Sequence, residues 1–201
     1  MADPSTTTEL EAVNTILSAI GELPTTQTVL TNATSADVVM AKQVLDEVNR
    51  EVQAEGWHFN TDYKVTFTPD VGDTNINVPD NVVRITVEGR DLTIRYTGGE
   101  RLLYDKEINS FLFTAPLTES AVVQYLFEFL GIPEAAKRYI TVRAARLFQD
   151  RMVGSVPHHQ FTQQDEFKAL LDLKEYEGTT ATPNIFDSVG TNNIIKRGSV
   201  L

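Results

Sequence analysis

The chain has 201 residues, 41% of them hydrophobic and 22% charged, a balance that suits one well-cored domain of mixed structure and excludes wholesale disorder or a fibrous fold. It contains no cysteine, which removes disulfides, zinc knuckles and thiol nucleophiles together. Its formal net charge of -11 argues against a surface that grips nucleic acid, because phosphate binding depends on clustered Lys and Arg, although an acidic protein can still surround DNA without holding it.

The first residues, Met1 to Thr8, are polar and lack the charged-then-apolar layout of a signal peptide, and no apolar run approaches the ~18 residues needed to span a bilayer. The expectation is synthesis in the cytosol and no membrane insertion. Thr6 and Glu9 are spaced for a capping box, and Leu10, Val13, Ile16, Leu17 and Ile20 then recur at helical spacing until Gly21 and Pro24 stop the run. After a Thr-rich link, Val38, Ala41, Val44, Leu45, Val48 and Val52 fall on one arc of a second helix, with Lys42, Gln43, Asp46, Glu47, Arg50 and Gln53 on the other side. Gly56 stands where a C-terminal cap belongs, and Trp57 and Phe59 are expected to be buried anchors under the first two helices.

From Tyr63 to about Phe129 the period changes to alternation of β-branched and aromatic residues, at Tyr63 to Phe67, Val82 to Val87, Leu92 to Tyr96 and Val122 to Phe127. Turn residues at Pro69-Asp70, Gly72-Asp73, Pro79-Asp80, Gly89-Arg90-Asp91 and Gly98-Gly99 separate those runs, which predicts antiparallel hairpins rather than a parallel nucleotide-binding sheet. Pro133 opens a third helix with an apolar stripe of Ala136, Ile140, Ala144, Leu147 and Phe148 that ends at Gly154. A fourth helix is expected after Thr162, carrying Phe167, Leu170 and Leu171 and ending near Gly178. The predicted fold is therefore α+β: about four helices interrupted by a small antiparallel β insertion at 61-130, forming one domain over 1-178, with an extended C-terminal arm over 179-201.

The candidates for chemistry each have a plainer explanation. His158 and His159 are adjacent, so they do not share a helix face, and neither has the partner of an HExxH site. His58 with Asp62 would make a base and its orienting acid, but no Ser occupies a GxSxG turn. Carboxylate pairs such as Glu107 with Glu119, or Glu128 with Glu134, arise by chance among 28 acidic residues. Gly98-Gly99 lacks the Lys-Ser or Lys-Thr of a phosphate loop and reads as a hairpin turn. No catalytic residue, metal site or cofactor is assigned.

Two segments point instead to assembly. Lys137, Arg138, Arg143, Arg146 and Arg151 concentrate on the third helix of an acidic chain, as candidates either for a contact with a neighbouring subunit's acidic face or, for Arg146 with Asp150, for an ion pair within the helix. The arm carries Ile185, Phe186, Ile194 and Ile195 with no period that would bury them locally, followed by Lys196 and Arg197. Such a segment suits one that orders on a partner, with the apolar pairs as anchors and the basic pair as a clamp.

Three stretches together resemble the tail tubular protein A family of short-tailed phages: ELEAVNTILSAIGELP at Glu9 to Pro24, LDEVNREVQAEGWHFN at Leu45 to Asn60, and VRAARLFQDRMVG at Val142 to Gly154. The first two are the specific ones, as AVN-x-IL-x-x-IGE-x-P and NR-x-x-Q-x-x-GW-x-F-N. The resemblance covers both ends of the helical frame, while the β insertion and the arm match only in kind and length. It implies a non-enzymatic subunit of a head-to-tail adaptor ring in the virion tail, typically of twelve copies. That ring joins the portal to a nozzle protein of the tail tubular protein B type, and DNA passes through its channel without specific binding. Two rivals come from other classes. A tail-associated cell-wall or polysaccharide hydrolase would need a carboxylate pair about 5 to 9.5 Å apart in a cleft; a soluble binding module with no assembly role would stay monomeric with a folded arm.

Overall fold

The computed structural model describes residues 6–72, 74–154 and 156–180, and the side chains of 118–120 and 156–162 are outside the description. Helix α1 spans Glu9–Ser18. Its cap is a capping box shifted two residues from the expected one: the Thr8 hydroxyl accepts from the Glu11 N–H at 3.3 Å, and the Glu11 carboxylate accepts from the Thr8 N–H at 2.7 Å. Gly21, at φ +82°, ends the turn that follows. Asn14 then clamps the departing chain, donating to the Thr25 carbonyl at 3.3 Å and accepting from its N–H at 2.7 Å.

The Thr-rich link contains a six-residue helix, α2 (Gln27–Asn32), that periodicity did not announce, because six residues hold too few turns to display a stripe. It buries Leu30. Helix α3 (Ala36–Ala54) buries the expected arc of Val38, Ala41, Val44, Leu45, Val48 and Val52. It also buries Asn49 and Gln53, and Gln53 had been expected on the outer face.

A short 3-10 turn, His58–Asn60, leads into the β lobe. Strand β1 (Thr61–Phe67) and strand β2 (Val82–Thr86) both pair antiparallel with a central β5 (Leu117–Tyr125). Between them, β3 (Leu92–Thr97) and β4 (Glu100–Asp105) form a hairpin in which Thr97 faces Glu100 across Gly98 and Gly99. Both glycines have positive φ, 62° and 88°, the requirement of a two-residue primed turn. Strand β4 carries four consecutive buried residues, Leu102 to Asp105, so it shows no alternation in its sequence. One reason is that segment 76–78 runs beside it, with Leu103 donating to the Ile76 carbonyl and Val78 to the Arg101 carbonyl. The last strand starts five residues before the expected Val122 and ends at Tyr125, leaving Phe127 outside the sheet.

Helix α4 (Glu134–Met152) follows Pro133 and packs against α1, α3 and α5. Helix α5 (Val156–Thr180) begins six residues before the expected Thr162 and continues past Gly178. Its buried contacts are Ala169 and Leu173, whereas Phe167 and Leu171 are 61% and 49% exposed, so most of the expected stripe faces outward. The fold is the predicted α+β mix, with two separate apolar cores. One joins α1, α2, α3, α4 and α5 around Ile16, Leu45, Ile140 and Phe148; the other fills the β lobe around Ile76, Ile85, Leu103 and Val123.

Candidate functional site

The two cores meet at a seam of buried amides. Gln53, fully buried, donates to the Asn49 side-chain oxygen and to the Phe127 carbonyl, both at 2.9 Å, and accepts from the Phe127 N–H at 2.8 Å. Asn60 donates to the Gln53 and Tyr125 carbonyls at 2.8 Å, and Gln124 of β5 donates to the Gln53 carbonyl at 2.7 Å. Gly56, at φ +84°, passes so close that a Cβ there would sit 3.3 Å from the Gln124 amide. Trp57 is half-buried rather than fully enclosed; its indole N–H donates to the Val52 carbonyl at 2.7 Å, and Phe59 is likewise half-buried beside the helical core. The run Asn49, Gln53, Gly56, Trp57, Asn60 is thus the stitch between frame and lobe. Sequence reasoning missed its amides because polar groups on a helix ordinarily mark the solvent side; the signal was Asn49 and Gln53 spaced one turn apart beside Val52.

The basic residues of α4 have unlike fates. Arg143 donates to Glu51 of α3 at 2.5 Å and to the Tyr139 hydroxyl at 2.9 Å. Arg146 bonds Glu166 of α5 and, at 3.1 Å, Asp150 one turn on; the Glu166 hydrogen bond raises its pKa further above the ordinary guanidinium value. Arg151 makes a bidentate pair with Glu47 at 2.8 and 2.9 Å, which holds the Glu47 carboxyl below the usual carboxylate range. These three tie α4 to its own neighbours. Lys137 is 1% exposed, packed into the interior and not presented to a second molecule.

Arg138 alone of the five is exposed with no ion-pair partner among the described residues. Glu134, one turn before it, is engaged by the N–H and hydroxyl of Thr7. Arg138 borders a groove of about 380 Å³ with Thr7, Thr15, Glu134, Ala135, Thr141 and Val142. Thr141 is 6% exposed, and its buried hydroxyl has no hydrogen-bond partner among the described residues. One turn further along α4, Arg146 lines a second groove of about 240 Å³ with Gln163, Glu166, Phe167 and Leu170. A third, of about 450 Å³, lies between α3 and residues 126–130 beside the Lys42–Glu9 ion pair.

The catalytic candidates are not brought together. His58 is exposed, its backbone N–H bonds Glu177, and no hydrogen bond or ion pair joins it to Asp62 among the described residues. Glu128 and Glu134 are both exposed and unconnected, and the side chain of Glu119 lies outside the description, as do those of His158 and His159. Among the described residues no three His, Cys, Asp or Glu are placed to hold a metal, and no helix is long and apolar enough to cross a membrane. Ile185, Phe186, Ile194, Ile195, Lys196 and Arg197 lie outside the described residues. A family model described as tail tubular protein matches residues 10–183 of the chain. No curated protein matches it.

Proposed function

The chain belongs to the tail tubular protein family of short-tailed phages and is a structural component of the virion tail, and we propose that it is the head-to-tail adaptor subunit of that tail. In this reading a closed ring, of twelve copies by the resemblance, sits between the portal and the nozzle protein, and the genome leaves through its channel. The match over residues 10–183 carries the proposal, since the family is structural and not enzymatic. Physical features support it. A chain of net charge -11 can line a channel that repels phosphate, so DNA slides rather than sticks. Large apolar side chains stand exposed, among them Tyr96 at 76%, Phe167 at 61% and Leu130 at 59%, as expected of a subunit whose covered state is the assembly.

The domain organisation proposed with it is one adaptor unit over 1–178 and an arm over 179–201, with α5 carrying the helix two residues into that arm. Ile185, Phe186, Ile194 and Ile195 with Lys196 and Arg197 are the proposed portal-binding elements, and the arm, fully extended, reaches about 75 to 80 Å. The experiment is deletion of 179–201. The truncated protein should keep a folded frame with nearly the same melting temperature and lose ring assembly on the portal; portal-bound rings at wild-type affinity would refute the arm's role.

A further inference from the structure

A ring closed by one repeated contact needs two unlike surfaces on each subunit, and the described residues offer a matched pair. The first is the groove beside Arg138. Its guanidinium is exposed on the one helix with a marked excess of basic residues in an acidic chain, and Glu134, the acid spaced to neutralise it, is held by Thr7. Val142, half-buried, adds apolar surface to the groove. An exposed guanidinium beside an apolar rim fits a carboxylate side chain with an apolar neighbour.

The second surface is the turn after β4. Asp105 is buried, 5% exposed, and its carboxylate accepts from the N–H groups of Glu107 at 2.9 Å and Ile108 at 3.4 Å. Two backbone bonds between Asp105 and Ser110, at 2.9 and 3.1 Å, close the loop below them. Lys106 is neutralised by Asp91 at 2.8 Å, which leaves Glu107 as the uncompensated charge. Glu107 is exposed and Ile108 is 64% exposed, so a pinned turn projects one carboxylate and one apolar side chain together. From this complementarity we infer that the Glu107–Ile108 turn of one copy docks in the Arg138–Thr141–Val142 groove of a second copy. Glu107 meets Arg138, and Ile108 packs toward Val142.

This inference rests on the ring-subunit reading and tests separately from it. Ring formation on the portal protein of the same phage is followed by sedimentation and negative-stain imaging for the wild type, Glu107→Arg, Arg138→Glu and the double charge swap. Each single reversal should lower ring yield by at least about tenfold, and the double swap should restore most of it. The neutral variants Glu107→Gln and Arg138→Gln, checked for an unchanged melting temperature, give the same readout if a reversal unfolds the chain. Because the chain has no cysteine, Glu107→Cys with Arg138→Cys should also oxidise to a ladder of covalent multimers, which neither single cysteine gives. Singles that assemble normally, or a double swap that stays as defective as its parents, overturn the pairing while leaving the adaptor reading intact. Arg138→Glu that lowers monomer stability without touching assembly assigns Arg138 to a contact within its own chain and likewise overturns it. Wild-type protein that forms no ring at all sinks the ring-subunit reading first.

Discussion

The helical frame and the β lobe are built on different terms. The frame closes over a continuous apolar core and adds a layer of ion pairs between helices, Arg143 to Glu51, Arg146 to Glu166 and Arg151 to Glu47. The lobe has a smaller core of β-branched and aliphatic side chains, and its ion pair, Lys106 to Asp91, is exposed. What joins them is the amide seam around Gln53 together with the stacked rings of Tyr125 and Phe127, and the motif run from Asn49 to Asn60 lies on that seam. The difference teaches that one recognisable stretch, Leu45 to Asn60, marks where the two halves meet, whereas Glu9 to Pro24 and Val142 to Gly154 serve the frame itself. Glu107 and Ile108, at the tip of the lobe, are exposed, and their side chains have no such fixed partner among the described residues.

Breaking the seam should have the largest effect. Gln53→Ala removes the partner of the Phe127 N–H and one of the two donors to its carbonyl, leaving Asn49 as the other, and opens space between the cores; it should cost about 3 to 4 kcal/mol of stability in urea unfolding. Because the seam couples the halves, unfolding followed by Trp57 fluorescence and by far-UV circular dichroism should separate in this variant and coincide in the wild type. Coincident transitions in Gln53→Ala would show that frame and lobe do not depend on it for their cooperation.

Trp57→Ala tests one side of the same seam. A fully buried Trp would cost about 3 to 5 kcal/mol, but this ring is half-exposed, so the expected loss is about 2 to 3 kcal/mol, including the hydrogen bond to the Val52 carbonyl. An unchanged melting temperature would remove Trp57 from the account. Smaller again are the ion pairs of the frame. Arg146 and Glu166 are 17% and 15% exposed, so Arg146→Ala should cost about 1 to 2 kcal/mol, whereas losing the exposed Arg151–Glu47 pair should cost less. Equal losses from the two would mean that burial does not rank them.

The smallest effect is on pH. Arg151 lowers the Glu47 pKa in the folded protein, so the contribution of that pair is complete above the usual glutamate range and fades as pH falls through the lowered value. Arg151→Ala should therefore reduce stability slightly at neutral pH and converge with the wild type in acid. Divergence in acid would contradict the sign.

The long helices were legible because their apolar positions repeat over many turns, as in α3 from Val38 to Val52. The hairpin at Gly98-Gly99 was legible because only glycine takes both positive φ angles readily. Strand β4 was not, since Leu102, Leu103 and Tyr104 are all buried and alternation disappears when both faces are covered. The stripe on α5 was legible as a stripe but not by direction: Ala169 and Leu173 face the frame, and the larger Phe167 and Leu171 face out. The cluster of basic residues on α4 was visible in the sequence, but which of them are neutralised depends on Glu47, Glu51 and Glu166, residues far away along the chain that only folding brings near. That is why Arg138, one of five candidates in the sequence, stands apart from the other four only in the folded chain.

The central claim is that this chain works as a ring on a portal. Negative-stain electron microscopy of the full chain mixed with its portal protein tests it most directly. The account predicts a second annular layer stacked coaxially on the portal, present with the full chain and missing when residues 179–201 are deleted. Portal particles that stay bare at saturating concentrations of folded full-length chain would contradict it.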